Sequence, residues 1–284
     1  MLISIASGKG GVGKTTIAVN LARVVGEGIT YADCDVEAPN GHLFLYPVIE
    51  NTQEFSVNVV RIDDDKCNYC GKCQEKCRFN ALAVLPRHVM VFDELCHGCG
   101  TCLLACPEEA IKEIERPIGV IETGHAGGVR YVGGRINIGE AMSPPLIRAV
   151  KQKVAKDKQV IIDAPPGTSC PVVNSVIGTD FCVMATEPTP FGLHDLVLAV
   201  AMVRQMGVPF GVVINRVGLG DDRVHKYCRR ENIEILAEIP DDRRAALAYA
   251  NGKIAVDVVP EWRNIFTNLW TSIMSRAGSA TQSA

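Results

Sequence analysis

The fold of this 284-residue chain is decided by the stretch Leu2-Ile-Ser-Ile-Ala-Ser-Gly8-Lys9-Gly10-Gly11-Val12-Gly13-Lys14-Thr15-Thr16. Its first residues form an apolar run that is typical of a buried strand. Apolar residues at helical spacing follow the glycines, namely Ile17, Ala18, Leu21, Val24 and Val25. Strand, glycine loop and helix in this order are the context that the P-loop motif requires, and Gly8-x₄-Gly13-Lys14-Thr15 matches that motif. The stretch therefore predicts a site for the phosphates of a nucleotide.

Each part of this loop suits one part of a nucleoside triphosphate. Backbone N–H groups of the glycine-rich segment can converge on phosphate oxygens, and the start of the following helix adds partial positive charge. Lys14 neutralises the β- and γ-phosphates, and Thr15 offers its hydroxyl to Mg²⁺. A glycine-rich turn before an ordinary helix is the alternative. The residues predicted to bind ATP here are Gly10, Gly11, Val12, Gly13, Lys14, Thr15 and Thr16.

Acidic residues end two further predicted strands. Residues 29–35 form a second apolar run that closes with Asp33 and Asp35, and Gln159–Asp163 forms another. Ligands of open α/β sheets lie at the carboxyl ends of the strands, so we expect these carboxylates to face the nucleotide. Thr15, Asp35 and Asp163 are then the predicted Mg²⁺ residues, with Asp163 acting through water. The alternative for Asp35 is a cap on the next helix.

Two more positions are predicted to contact the nucleotide. Gly167 follows Asp163 closely and can offer its backbone N–H to the γ-phosphate, and Asn215 ends a predicted strand where its amide can contact an adenine edge. A turn-forming asparagine is the alternative. The glycine-rich residues 124–139 predict a flexible loop or an irregular hairpin. Other predicted strands and helices cover 118–123, 145–156, 181–187, 193–206, 210–215 and 234–240. Together they indicate an α/β fold with a doubly wound, mostly parallel sheet.

Eight of the twelve cysteines lie in one window and interrupt this pattern. Their spacing, Cys-x₂-Cys-x₂-Cys-x₃-Cys, occurs twice and is the bacterial ferredoxin run, in which the fourth thiolate ligates the other cluster. The predicted ligand sets for two [4Fe–4S] clusters are Cys67, Cys70, Cys73 with Cys106, and Cys96, Cys99, Cys102 with Cys77. The alternative is a pair of zinc sites, although Cys₄ zinc modules usually consist of two separated Cys-x₂-Cys pairs.

The two cysteine runs belong to an internal repeat. Each run continues into a short apolar segment, 81–82 in the first and 110–111 in the second, and we expect these segments to pair with each other. The repeat departs from the ferredoxin pattern once, since Pro107 follows Cys106 but Arg78 follows Cys77. This departure leaves the predicted ligands intact and affects the local turn.

Charge and hydropathy exclude several functions. The net charge is only −3, so we expect no binding of nucleic acid. No apolar run approaches the roughly 18 residues of a membrane span, and the start lacks a signal-peptide pattern, so we expect a cytoplasmic protein without stable membrane insertion. One face of a C-terminal helix is apolar, and packing against the sheet is favoured over membrane contact because few basic residues flank it.

The loop resembles the deviant Walker A motif of the MinD/ParA/Mrp superfamily of P-loop ATPases, to which the nitrogenase iron protein also belongs. The resemblance implies that Lys9 reaches the phosphates of a partner across a nucleotide-sandwiched dimer and that Asp35 positions the attacking water. It assigns catalytic roles to Lys9, Lys14, Asp35 and Asp163. Cys170 stands at the offset of a cluster-holding cysteine in the nitrogenase iron protein, but a second such cysteine has no counterpart, which favours a buried, inert thiol. Cys34, Cys182 and Cys228 are interpreted as structural.

The resemblance and the cysteines together predict an ATPase domain with an inserted small α+β two-cluster ferredoxin domain. The predicted segments are 1–55 (ATPase), 56–115 (ferredoxin), 116–277 (ATPase) and 278–284 (disordered tail). Three functions are compatible with this arrangement: ATP-gated electron transfer to a metalloprotein, maturation of an iron–sulfur or metallocluster protein, and a positioning ATPase with a redox-sensing insert. The implied partners are a homodimer or a related ATPase in a heterodimer, and a redox or metallocluster protein.

Overall fold

The computed structural model describes residues 1–280, which divide into two compact units. The large unit contains Met1–Gln53, Ile121–Arg135 and the chain from Leu146 onward, and the small unit contains Glu54–Val120 and Ile136–Pro145. The last of these segments differs from the predicted boundaries, which place 136–145 in the ATPase domain. Within the small unit it is held by Arg116, whose Nη1 lies 2.5 Å from Glu140 Oε2.

The strands alternate with helices along most of the chain. The strands are β1 (Leu2–Ala6), β2 (Ile29–Asp33), β3 (Val48–Ile62), β4 (Leu82–Leu85), β5 (His88–Val91), β6 (Ile111–Ala126), β7 (Val129–Ile136), β8 (Gln159–Asp163), β9 (Phe181–Thr186), β10 (Phe210–Val217) and β11 (Ile235–Pro240). The helices are α1 (Lys14–Val25), α2 (His42–Leu45), α3 (Lys72–Lys76), α4 (Thr101–Ala105), α5 (Pro144–Val154), α6 (Cys170–Val176), α7 (Pro190–Met206), α8 (Arg223–Arg230), α9 (Arg243–Ala250), α10 (Ala255–Val258) and α11 (Pro260–Ala280).

The large unit is built on parallel strands in the order β11-β10-β9-β1-β8-β2-β7. β6 and β3 follow β7 in the strand order, and part of each belongs to the small unit. The strand order runs outward from β1 in both directions, which is the arrangement of a doubly wound sheet. The predicted mostly parallel α/β fold is therefore confirmed, and the carboxyl ends of β1, β2 and β8 meet at one edge.

Apolar burial explains why the first and last helices form where they do. Ile17, Ala18 and Leu21 of α1 and Phe266 and Leu269 of α11 are fully buried in one core. The expected packing of the C-terminal helix is thus confirmed. Among the described residues, no helix is both long and apolar enough to cross a membrane. Helix α11 extends to Ala280, into the predicted tail 278–284, and the rest of that tail lies outside the described residues.

The glycine-rich residues 124–139 form a hairpin rather than a loop. β6 and β7 are neighbours joined by Gly127 and Gly128, and Gly127 has a φ of 60°, a conformation that glycine adopts without strain. The hairpin alternative of the sequence analysis is therefore the correct one.

The repeated cysteine segments of the small unit do not pair as predicted. The first apolar segment begins β4, which pairs antiparallel with β5, and the second begins β6, which lies next to β7 and β3. The predicted pairing of the two segments is wrong because each segment pairs elsewhere. The first segment pairs with β5, which follows it directly in sequence, and the second accepts a hydrogen bond at Ala110 O from Asp63 N at 2.7 Å.

Candidate nucleotide and cluster sites

A cavity of about 440 Å³ opens at the carboxyl edge of the sheet in the large unit. Its volume is in the range of small-molecule sites. Aromatic Tyr249 and Trp262 contribute apolar surface suited to a base, and sequence analysis assigned neither of them a role. The predicted site residues that line it are Gly10, Gly11, Gly13, Lys14, Thr15, Thr16, Asp35 and Asn215. The structure thus gathers most of the predicted site around one cavity.

The shape of the loop depends on its glycines. Gly13 has a φ of 96°, and a Cβ at this position would lie 2.4 Å from Asn215 Nδ2. Asn215 donates from that nitrogen to Val12 O at 2.9 Å, which leaves a second N–H and the amide oxygen for another partner. Val12 itself is buried and contributes backbone rather than side chain to the site. The role of Asn215 in base contact stays a prediction.

Lys14 and Asp35 line the cavity, and two buried aspartates that do not line it, Asp33 and Asp163, act on them electrostatically. Lys14 is only 7 % exposed, and burial lowers its pKa, while Asp163 and Asp35 oppose that shift. Burial and the charge of Asp163 raise the pKa of Asp35 to about 6, against the influence of Lys14. Burial also raises the pKa of Asp33 and Asp163, which face each other in register on β2 and β8. Repulsion among these carboxylates favours a bound cation or a shared proton.

Asp163 fits the Mg²⁺ role assigned to it. Its Oδ2 accepts a hydrogen bond from Tyr31 Oη at 2.9 Å, whereas its buried Oδ1 has no partner within the described part of the chain. In residues 1–280, no three acidic, histidine or cysteine side chains converge on one metal ion. Mg²⁺ keeps several waters and uses one or two carboxylates together with the phosphates of its substrate, so the Oδ1 of Asp163, which is free within the described chain, is a suitable ligand for it.

Two residues that hold the Asp163 carboxylate in place could not be predicted from the sequence. Tyr31 looks like an ordinary apolar-strand residue, but its hydroxyl orients Asp163. Gly41 leaves room for that ring, because a Cβ there would lie 2.2 Å from Tyr31 Oη, and its N–H donates to Asp33 Oδ2 at 3.0 Å. Neither belongs to a motif, so only their spatial neighbours reveal them.

The other predicted phosphate contacts are engaged within the chain. Lys9 Nζ lies 2.5 Å from Glu187 Oε1, and Glu187 Oε2 lies 3.5 Å from Arg216 Nη1. Gly167 N donates to Ser7 O at 3.0 Å instead of pointing at an open space. Both groups would have to change partners to contact phosphate, and their phosphate roles stay predictions.

The eight clustered cysteines line two separate cavities in the small unit. Cys67, Cys70, Cys73 and Cys106 line the first cavity, hereafter the Cys67 site. Cys77, Cys96, Cys99 and Cys102 line the second, hereafter the Cys96 site. These are the two ligand sets that the ferredoxin spacing predicts, with the fourth cysteine exchanged between the runs. The thiolates of an iron–sulfur cube bind different irons, so they need not converge on one point as the ligands of a zinc ion do.

The backbone of the two runs repeats closely. Gly71 and Gly100, with φ of 79° and 70°, are the N-cap residues of α3 and α4 and occupy equivalent positions of the repeat. Ala81 N donates to Cys77 Sγ at 3.4 Å, and Ala110 N donates to Cys106 Sγ at 3.4 Å. Backbone N–H groups that point at sulfur are what a reduced cluster requires for charge stabilisation. The donor set and its surroundings therefore fit two iron–sulfur cubes.

The remaining cysteines divide into buried and exposed ones. Cys34, Cys182 and Cys228 are buried, as expected for structural thiols. Cys170 is exposed at the start of α6, so the expectation of a buried thiol there is wrong.

Comparison with known proteins supports the nucleotide cavity. Residues 3–256 match the family described as CbiA, the CobQ/CobB/MinD/ParA nucleotide binding domain. An uncharacterized protein of Methanocaldococcus jannaschii is 34% identical over 225 residues, which cover 78% of this chain and 80% of that protein. The iron-sulfur cluster carrier protein of Pyrococcus horikoshii is 25% identical over 267 residues, which cover 86% of this chain and 75% of that protein.

Solved structures share the fold. The septum site-determining protein MinD of Pyrococcus horikoshii, complexed with Mg-ADP, superposes with a TM-score of 0.60 at 18% identity and covers 94% of this chain and 93% of its own. The cell division ATPase MinD of Pyrococcus furiosus has a TM-score of 0.60 at 20% identity and covers 96% of this chain and 98% of its own.

Proposed function

Because this chain belongs to the CobQ/CobB/MinD/ParA nucleotide-binding family, we propose that it is an ATPase that couples ATP binding to electron transfer or metallocluster assembly in a partner protein. The observation that carries the coupling is that one chain contains both the P-loop cavity and two cavities lined by four cysteines each. We place this activity in the cytoplasm.

Residues in and near the P-loop cavity have separate roles in the proposed hydrolysis. Lys14 holds the β- and γ-phosphates, while Thr15 and Asp163 hold Mg²⁺, which shields phosphate charge when bound. Asp35 lines the same cavity and orients the attacking water. Its pKa of about 6 leaves it mostly ionised near neutral pH and able to accept a hydrogen bond from that water. Lys9, once released from Glu187, contacts the phosphates bound by a partner, either a second copy or a related ATPase.

The cysteines of the small unit hold two [4Fe–4S] clusters, which supply one-electron redox chemistry when bound. The Cys67 and Cys96 sites separate the eight thiols into two sets of four, and nearby N–H groups point at sulfur. The partner is therefore a protein that receives electrons or a metallocluster.

A second candidate function is that of an iron–sulfur cluster carrier. Two Pyrococcus relatives bear that name, at 25% and 24% identity. The exposed Cys170 gives this candidate one accessible thiol, whereas Cys228, near the C-terminus, is buried. A positioning ATPase, as the MinD-like fold allows, is the third candidate.

Anaerobic purification with iron and sulfide analysis tests the proposal. We expect about eight irons per chain, and reduction potentials that differ between samples with ATP, ADP and no nucleotide. Transfer of labile iron to an apo-protein would favour the carrier function instead. Zinc in place of iron, or reduction potentials that do not change with nucleotide, would contradict the proposed coupling.

Weakening the contact between Lys9 and Glu187 should favour ATP-dependent dimerisation. The Glu187→Gln substitution removes the charge that holds Lys9 in its own chain, so the dimer fraction at limiting protein concentration should rise about two- to five-fold, the effect of a partly exposed ion pair. Light scattering in the presence of ATP and Mg²⁺ measures the dimer fraction. Glu231→Gln, which breaks a pair with Arg204 elsewhere in the large unit, is the control. An unchanged or smaller dimer fraction in Glu187→Gln would show that the pair does not restrain Lys9.

A further inference from the structure

Two positions of the repeat line both cavities and differ in polarity between the two cysteine sites. At the Cys96 site, the rings of Phe79 and His97 stack with centroids 3.7 Å apart and planes inclined by 13°, and both rings line the cavity. At the Cys67 site, the equivalent residues of the repeat are Glu108 and Asn68, and both line that cavity. Asn68 Nδ2 donates to Glu108 Oε1 at 2.9 Å. One site therefore has an aromatic pair where the other has a carboxylate held by an amide.

We propose that Glu108 makes the two sites electrostatically unequal, so that the Cys96 site accepts an electron before the Cys67 site does. This inference rests on the proposed function, since it requires a [4Fe–4S] cluster at each site. One-electron reduction by a donor of low potential adds one negative charge to a site without breaking a bond. A carboxylate in the wall of the cavity raises the cost of that charge at the Cys67 site, and no carboxylate lines the Cys96 site within the described residues.

The other polar groups around the two sites act in both directions, but none of them places a second charge in the wall of either cavity within the described residues. Glu108 is the only charged side chain that lines either cavity within the described residues. Thr101 lines the Cys96 site with its Oγ1 3.4 Å from Cys99 Sγ, and a hydroxyl near sulfur stabilises added negative charge. Outside the cavities, Arg61 lies near Cys96 but is paired with Asp93, and the carboxylate of Glu113 acts on Cys99 in the direction opposite to Thr101.

Asn68 has a positioning role in this arrangement. Its amide holds the exposed carboxylate of Glu108 at the cavity wall, although that side chain would otherwise sample many rotamers in solvent. Because the carboxylate is exposed, salt should weaken its effect. The difference between the two potentials is therefore expected to shrink as ionic strength rises.

A redox titration of the full chain, purified anaerobically and followed by electron paramagnetic resonance, tests the inference. The Glu108→Gln variant should raise the lower of the two reduction potentials. The ratio of the two singly reduced forms should change by about tenfold, so the difference between the two potentials should fall by about 59 mV. The Glu109→Gln variant is the control, since it removes the adjacent charge, which lines neither cavity, and it should leave the gap unchanged.

The outcomes separate this inference from the proposed function. Clusters at both sites with equal potentials in the wild type, or an unchanged or wider gap in Glu108→Gln, would overturn the inference and leave the proposed function standing. Preparations that contain zinc or lack iron would overturn the proposed function, and the inference with it. If the difference between the two reduction potentials falls equally in Glu109→Gln, the effect is one of net charge in general, and the assignment to Glu108 is overturned as well.

Discussion

Replacing Lys14 by methionine is expected to weaken ATP binding by at least about a hundredfold and to abolish hydrolysis. Methionine keeps most of the buried stem but removes the charge. Lys14 is almost fully buried and is the cation that acts on both Asp35 and Asp163. A hundredfold loss of affinity corresponds to about 2.8 kcal/mol of binding free energy. Titration calorimetry with ATP and Mg²⁺, together with phosphate release, measures the loss.

The same variant tests whether the two units act independently in cluster binding. Iron content should not change, because Lys14 and the cysteine sites belong to different units. Lys151→Met is the matched control: this half-buried lysine of the large unit donates to Asn174 O and Ile177 O and lies outside the P-loop cavity. ATP affinity should survive in Lys151→Met. Retained ATP affinity in Lys14→Met, or loss of iron there, would contradict the assigned roles.

Pairs of cysteine substitutions should reveal which thiols share a cluster. Cys67→Ala and Cys106→Ala should each lower the iron content from about eight to about four per chain, because both residues line the Cys67 site. The double variant should lose no more iron than either single variant. Combining Cys67→Ala with Cys77→Ala should instead remove nearly all iron, because Cys77 lines the Cys96 site.

The alternative arrangement predicts the reverse outcome, which makes this experiment decisive. If each run of four cysteines held its own cluster, Cys67 and Cys77 would belong together and their double variant would keep about four irons. Iron analysis and visible absorption of anaerobic samples distinguish the two results. The two double variants serve as controls for each other because each removes two thiols from the same small unit.

Local chemistry explains what the sequence could predict. β1 and β8 begin and end where the apolar runs indicate, and the P-loop residues line one cavity because a motif of adjacent residues carries its own geometry. The cysteine sets likewise follow from spacing within two short runs. Residues that act together through short stretches of chain can be recognised without knowledge of the fold.

Contacts between distant segments could not be predicted in this way. β3 was missed because most of its first half is exposed and polar, so it lacks the alternation that marks a half-buried strand. Glu187 contacts Lys9 across 178 positions of sequence, and Tyr31 contacts Asp163 across 132. No periodicity links such pairs, and only the sheet brings them together.

Gly41 shows that the support of Asp163 depends on a residue outside the motifs. A Cβ at this position would lie 2.2 Å from Tyr31 Oη, so either the ring that holds Asp163 or the chain at residue 41 would have to move. A natural relative with alanine there would still display every signature letter that a motif search examines. A survey that infers ATPase activity from the motif residues alone would count such a relative as active. The residue at the position of Gly41 should therefore be inspected as well.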